Sequence, residues 1–128
     1  MSQKVLVVGA SENPSRYSNK AIIKLNENGY KVFAFGNRPG EVMGTEIVTE
    51  FPKTEMDTLT LYLGSKNQKQ YYSNILNSNP KRIIFNPGAE NEELSIMARQ
   101  KGIKVMNACT LVMLSIGNFY LLNLLFIL

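Results

Sequence analysis

Apolar positions gather in five short runs, at residues 5–8, 32–35, 59–63, 82–85 and 103–106. Most are continuous rather than alternating, the pattern of strands buried on both faces of a parallel sheet. Helical spacing fills the gaps between them. Residues 19–28 place Ile22, Ile23 and Leu25 on one side and stop at Gly29, a residue suited to a left-handed C-cap. Ser65, Lys66, Asn67 and Gln68 read as a capping box with Ser65 as N-cap, after which Tyr71, Tyr72, Ile75 and Leu76 recur at helical spacing. Asn91 is placed to cap a further helix with Glu92 and Glu93 in its first turn, Lys101 near its end and Gly102 beyond. The connection at residues 40–57 holds Gly40, Gly44 and Pro52, which oppose a long helix, and Glu46, Ile47 and Val48 read as a short extended piece. Strands alternating with helices predict an α/β fold with a five-stranded parallel sheet and right-handed crossovers.

Composition narrows the chemistry. The 128 residues suit one domain, and 45% hydrophobic with 19% charged residues suits a globular core. Histidine is absent, which excludes imidazole triads, histidine metal sites and phosphohistidine relays. The single cysteine, Cys109, has no internal disulfide partner, so a cytoplasmic location is expected. The N-terminal apolar run is too short for a signal peptide. The net charge of +4 is spread along the chain without a basic run, which favours a small phosphorylated ligand over nucleic acid.

Ligands of open α/β sheets bind beyond the carboxyl ends of the strands. The residues there are Gly9-Ala10-Ser11, Gly36-Asn37-Arg38, Gly64-Ser65, Asn86-Pro87-Gly88 and Asn107-Ala108-Cys109. Each set is able simply to end a strand, but all of them on one edge point to a ligand crevice. A dinucleotide fingerprint starting at Gly9 would need glycine at positions 11 and 14, which are Ser11 and Pro14. The loop is instead long and polar. Its backbone N–H groups and the Ser11 hydroxyl are available to an anion at the next helix N-terminus, and Arg16 adds a permanent positive charge. Tyr17 either packs on a ligand or anchors the loop, the anchor being the plainer role. After the second strand come Asn37 and Arg38, with no acid before Glu41. An arginine there prefers a phosphorylated ribose, which disfavours NAD and leaves NADP and coenzyme A open.

The loop G-A-S-x-x-P-x-R-Y, the later G-N-R-x-G-E-V-x-G, the F-N-P-G-A-E-N-E-E and the closing C-T-L-V-M-L-S together resemble one family. It is the small single-domain CoA-binding proteins similar to the N-terminal domain of the succinyl-CoA synthetase α-subunit. The resemblance covers residues 4–118 and implies a Rossmann-like three-layer fold with a five-stranded parallel sheet. It also implies that Gly9, Ala10, Ser11, Pro14, Arg16 and Tyr17 surround the CoA phosphates. Arg38, beside Asn37, would lie near the phosphorylated ribose, and Gly64, Ser65, Asn86, Pro87 and Gly88 along the crevice. The synthetase uses a phosphohistidine, a second α-subunit domain and a β-subunit, so its ligase chemistry does not carry over to a chain without histidine. The expected function is a CoA or acyl-CoA binding protein without evident catalytic groups. The alternative is an NADP-type dinucleotide-binding protein or sensor.

The remaining candidates read more plainly. Cys109 lacks an activating base and suits a buried structural thiol. Glu90, Glu92 and Glu93 open a helix and suit a solvated, dipole-stabilised turn, and no metal spacing is visible. The domain spans residues 1–118 and leaves an apolar tail at 119–128. No charge follows Lys104, and residues 111–128 reach the lower length limit of a membrane span. Ser115, Gly117, Asn118 and Asn123 interrupt that stretch, so no span is expected. The tail is expected to pack on the domain or on a second copy as a homodimer.

Overall fold

Val5, Leu6, Val7 and Val8 have no solvent exposure, because the strand they form runs through the middle of a sheet covered on both faces. The structure, a computed structural model, describes residues 3–119. That strand, β1 (Lys4–Val8), is followed by β2 (Lys31–Phe35), β3 (Gly40–Val42), β4 (Thr45–Val48), β5 (Thr58–Leu61), β6 (Arg82–Phe85) and β7 (Lys104–Asn107). They form one seven-stranded sheet in the order β3-β4-β2-β1-β5-β6-β7.

All neighbours pair in parallel except β3 and β4. The sheet is therefore mixed and seven-stranded, not the five-stranded parallel sheet expected from the apolar runs. The difference lies in the connection at residues 40–57. There a tight hairpin turns through Met43 (φ 51°) and Gly44 (φ 81°), and β4 then docks beside β2 through Ala34↔Ile47 and Phe35↔Val48. Ile47 is buried while Glu46 is exposed. Such short alternating strands at a sheet edge carry a weak apolar signal.

The chain steps outward from β1 to β2 and β4, then crosses to the other side of β1 with β5, β6 and β7. The direction of winding thus reverses between β1 and β5, where neighbouring loops diverge and open a crevice. Helices cover both faces. Leu6, Val8, Leu59, Leu61, Ile83 and Phe85 pack against Ile75 of α3 (Tyr72–Asn77) and against Leu94 and Ala98 of α4 (Glu92–Gln100). Val5, Val7, Ala34 and Ile84 pack against Ile22 and Leu25 of α1 (Tyr17–Glu27) and Met113 of α5 (Thr110–Ser115).

Helix starts differ from expectation in instructive ways. α1 begins at Tyr17, two residues before the expected stretch. The segment after β5 is broken into α2 (Ser65–Gln68), a 3-10 turn at Lys69–Tyr71, and α3. Gly64, not Ser65, is the N-cap of α2. Gln68 cannot complete a capping box, because its side-chain amide is buried and donates to the carbonyls of Leu63 (2.8 Å) and Ala89 (2.7 Å). Asn91 caps α4 as expected, accepting from the Leu94 N–H at 3.1 Å.

β6 opens on Arg82, which is 1% exposed. Its Nε donates to Thr58 Oγ1 and its Nη2 to the Phe119 carbonyl, each at 2.9 Å, and the guanidinium lies 4.4 Å from the Phe119 ring centre. The chain is thereby pinned at Phe119. The expectations for the tail beyond it, including the homodimer, lie outside the described residues. Among those residues no helix is long and apolar enough to cross a membrane.

Candidate functional site

A cavity of about 930 Å³ opens at the carboxyl ends of β1, β2 and β5. Its shape depends on close backbone contact between the first two strand-end loops. Gly9 turns with a φ of 95°, which brings its N–H and that of Ala10 to the same carbonyl, Phe35 O, at 2.9 Å each. The backbone of Gly36 passes so near that a Cβ there would lie 2.5 Å from the Ala10 carbonyl oxygen. The N–H groups of Gly9 and Ala10 are therefore consumed inside the protein. They do not face an anion, contrary to the expectation that this loop's backbone turns to the ligand.

Residues beyond Ala10 hold the loop in shape by local bonds. Ser11 Oγ accepts from the Asn13 N–H, and Asn13 Oδ1 accepts from both the N–H and the hydroxyl of Ser15. Asn19 Nδ2 donates to the Ser11 carbonyl and Lys20 Nζ to the Pro14 carbonyl. Glu12 reaches across to β3, where its carboxylate accepts from the Glu41 N–H at 2.9 Å. Tyr17 is 70% exposed and anchors nothing. Asn13, Asn19 and Lys20 do the anchoring, leaving the Tyr17 ring at the cavity mouth. Arg16 is the N-cap of α1 and supplies no side-chain cap, so the N–H groups of the first helical turn point outward without a capping side chain.

The cavity brings together Gly9, Ala10, Ser11, Arg16, Tyr17, Asn37, Arg38, Gly64 and Pro87 of the sequence-derived candidates. Pro14, Ser65, Asn86 and Gly88 are not among its lining residues. Asn86 is 1% exposed and spends its amide on internal bonds: it donates to Thr60 Oγ1 and the Leu61 carbonyl and accepts from the Thr110 N–H. Gly88 donates its N–H to Glu90. Arg16 and Arg38 are exposed and form no ion pair or side-chain hydrogen bond among the described residues. Two free guanidiniums at one opening give a local field that attracts phosphate.

Phe35, Tyr62, Leu63 and Tyr71 also line the cavity, and sequence reasoning assigned them no part in it. Tyr71 meets Phe35 edge-on at 5.0 Å, and Phe51 backs both rings. Tyr62 and Leu63 had been assigned to the third strand, but β5 ends at Leu61 and releases both to the crevice. The one available signal was their apolar character just before Gly64, which reads equally as strand. The Tyr62 hydroxyl is buried without a hydrogen-bond partner. Burial pushes its pKa up to about 12, against a smaller opposing effect of the nearby Thr60 and Thr110 hydroxyls. Those two hydroxyls are engaged with each other at 2.8 Å.

Cys109 is half-buried at the N-cap of α5 rather than fully buried. Glu92 and Glu93 form the exposed first turn of α4, where Glu93 accepts from the Tyr72 hydroxyl at 2.9 Å.

Comparison with known proteins agrees with this geometry. A crystal structure of an uncharacterized protein is 43% identical, covering 93% of this chain and 99% of its own, with a TM-score of 0.89. A hypothetical protein from Pyrococcus horikoshii OT3 is 25% identical, covering 85% of this chain and 79% of its own, with a TM-score of 0.77. A fold likeness extends to the dinucleotide forming acetyl-coenzyme A synthetase 1 of Ca. Korarchaeum cryptofilum. It is 21% identical with a TM-score of 0.67, and the match covers 83% of this chain and 25% of the synthetase. No curated protein matches the sequence. Residues 3–115, which include every loop bordering the cavity, match the CoA binding domain family, and the chain belongs to that family.

Proposed function

We propose that this cleft binds coenzyme A or an acyl-CoA, and that the protein is a cytoplasmic, Rossmann-like binding module rather than a ligase. The observation that carries the reading is the pair Arg16 and Arg38, two unpartnered guanidiniums at the mouth of one cavity at the switch point. The third-second-first-fourth-fifth-sixth order of the six parallel strands supports the Rossmann-like description.

The residues fit the ligand in kind. Coenzyme A carries a diphosphate and a separate ribose 3′-phosphate, and each arginine has one to meet. Arg38, next to Asn37 beyond β2, takes the ribose phosphate. Arg16, the Ser11 hydroxyl and the first-turn N–H groups of α1 take the diphosphate. The N–H groups of Gly9 and Ala10 play a different part, drawing the two loops together. Phe35, Leu63 and Tyr71 offer an apolar wall to the base or the pantetheine arm. At about 930 Å³ the cavity falls at the upper end of the roughly 300–1,000 Å³ usual for ligand sites. The absence of histidine removes the phosphohistidine step of the succinyl-CoA synthetase that the sequence resembles.

Calorimetric titration with CoA, dephospho-CoA and NADPH tests the reading. CoA is expected to bind, dephospho-CoA to bind more weakly, and NADPH to bind weakest. Binding of NADPH alone would transfer the site to the dinucleotide alternative, since Arg38 suits a 2′-phosphate as well.

A further inference from the structure

The cleft that carries Arg16 and Arg38 also carries a carboxylate. Glu12 lines it together with both arginines, yet it pairs with neither among the described residues. A negative charge in a phosphate site repels the ligand, so its place there needs another reason. Glu12 crosses from the β1–α1 loop to β3, the terminal strand of the sheet, and accepts the Glu41 N–H at 2.9 Å. On the way its side chain sits directly against Gly40. A Cβ on Gly40 would crowd Glu12 Cδ and lie 2.6 Å from its Cγ and 2.8 Å from its Oε1. Only a residue without a side chain leaves that seat open.

We infer that Glu12 is a positioning residue: by latching the β1–α1 loop to β3 it sets the spacing of Arg16 and Arg38, and with it the preference for CoA over dephospho-CoA. The inference rests on the CoA reading of the cleft. The two loops are joined at their roots, where the Gly9 and Ala10 N–H groups meet the Phe35 carbonyl and the Gly36 N–H meets the Val48 carbonyl at 3.0 Å. Glu12 adds a second tie further out. Arg38 lies between the two ties, on residues 36–40, and Pro39 stiffens that span. Arg16 is coupled to Glu12 through the loop itself. Its N–H donates to the Asn13 carbonyl at 3.0 Å, and the Asn13 N–H donates to Ser11 Oγ. With both ties made, the two loops hold their guanidiniums at one separation. A ligand with two separated phosphate groups gains most from this, because its second contact requires no further ordering of a loop. A ligand with the diphosphate alone gains little.

Calorimetry on the full chain with CoA and dephospho-CoA, beside amide hydrogen exchange, tests the inference. Glu12→Ala is expected to lower the ratio of CoA to dephospho-CoA affinity roughly three- to tenfold, the size of one hydrogen bond, and to speed exchange of the Glu41 amide. Glu12→Gln keeps an acceptor oxygen and should retain the parent's ratio. Gly40→Ala keeps the carboxylate but takes its seat, so it should lower the ratio as Glu12→Ala does. In a Glu12→Ala/Gly40→Ala variant the seat is already empty, and the second change should add nothing. An unchanged ratio in Glu12→Ala would overturn the inference while leaving CoA binding in place. A loss in Glu12→Gln equal to that in Glu12→Ala would overturn it too, making charge the cause. Unaltered exchange at Glu41 would remove the latch itself. If the unmodified protein binds neither ligand, or both equally, the phosphate reading of the cleft fails and the inference falls with it. Should Gly40→Ala not fold, the two Glu12 variants decide alone.

Discussion

Asn86 and Thr60 are joined by a 2.7 Å hydrogen bond between the carboxyl-end regions of two adjacent strands. The same carboxamide also donates to the Leu61 carbonyl and accepts from the Thr110 N–H, both at 2.9 Å. One side chain thus ties β5, the end of β6 and the start of α5 behind the cleft. Asn86→Ala strips the Thr110 N–H of its acceptor in a buried place, while Thr60 Oγ1 keeps Thr110 Oγ1 and the Leu61 carbonyl keeps the N–H of residue 86. It should cost about 1–3 kcal/mol. Urea melts read this directly, and a midpoint equal to that of the unmodified protein would deny Asn86 its structural role.

Gly36 and Gly64 make a matched pair for the cleft's backbone. A Cβ on Gly36 would lie 2.5 Å from the Ala10 carbonyl oxygen, while one on Gly64 meets nothing within 4 Å. Gly64 also has an ordinary φ of −64°. Gly36→Ala should therefore destabilise by about 1–3 kcal/mol and weaken CoA binding by parting the two loops. Gly64→Ala should leave stability within about 0.5 kcal/mol. Equal thermal midpoints for the two variants would contradict the close approach.

The central strands were legible because a doubly covered sheet demands continuous apolar runs, and Val5 to Val8 meet that demand without a polar interruption. The extended piece at Glu46, Ile47 and Val48 was legible and lies in β4, but β3 and the hairpin joining the two were not, since Gly40–Val42 is too short to stand out from a loop. Arg16 and Arg38 were legible as charge placed after a strand. The loss of the Gly9 and Ala10 N–H groups to Phe35 was not, because it depends on where a carbonyl on the next strand comes to lie. Asn86 shows the same limit: a polar residue at a strand end looks alike whether it faces a ligand or knots the core.

Asp57 gives the fold an acid-sensitive point remote from the cleft, at the amino end of the sheet. Burial opposes its charge, but the Lys4 N–H at 2.8 Å and Lys81 Nζ at 3.2 Å outweigh that and hold its pKa below the usual carboxylate value. A lowered folded pKa adds stability above the unfolded value of about 3.9, and this stability is lost as pH falls through the folded value. Asp57→Asn should cost about 1 kcal/mol at pH 7, allowing for the exposure of Lys81. The deficit should vanish at the acid end of a pH series of urea melts, with CoA affinity at pH 7 unaltered. A deficit constant at every pH would reject the ionic role.

Tyr62 acts at the opposite end of the pH scale. Burial penalises its phenolate and pushes its folded pKa to about 12 from the ordinary phenol value of 10.0, so the fold loses stability as pH rises from 10 toward 12 and is insensitive to this group below pH 10. Tyr62→Phe removes a buried hydroxyl that has no partner. The variant should be as stable as the parent at pH 7, or more stable by up to about 1 kcal/mol. It should also resist alkaline unfolding better. Marked destabilisation at pH 7 would mean that the hydroxyl holds a bond with Thr60 or Thr110 after all.

Arg16 and Arg38 should separate by ligand. If Arg38 meets only the ribose phosphate, Arg38→Ala weakens CoA by about 1.5–3 kcal/mol, roughly 10- to 150-fold, and scarcely alters dephospho-CoA. Arg16→Ala should weaken both ligands to a similar degree, because the diphosphate is common to them. Neither side chain has an internal partner among the described residues, so both variants should keep the parent's melting temperature. Losses in affinity can then be read as lost contacts rather than as unfolding. Parallel titrations of both variants with both ligands form the decisive set. Equal loss of CoA and dephospho-CoA in Arg38→Ala would remove the ribose phosphate from that arginine, and unimpaired binding in both variants would empty the cleft of its proposed ligand.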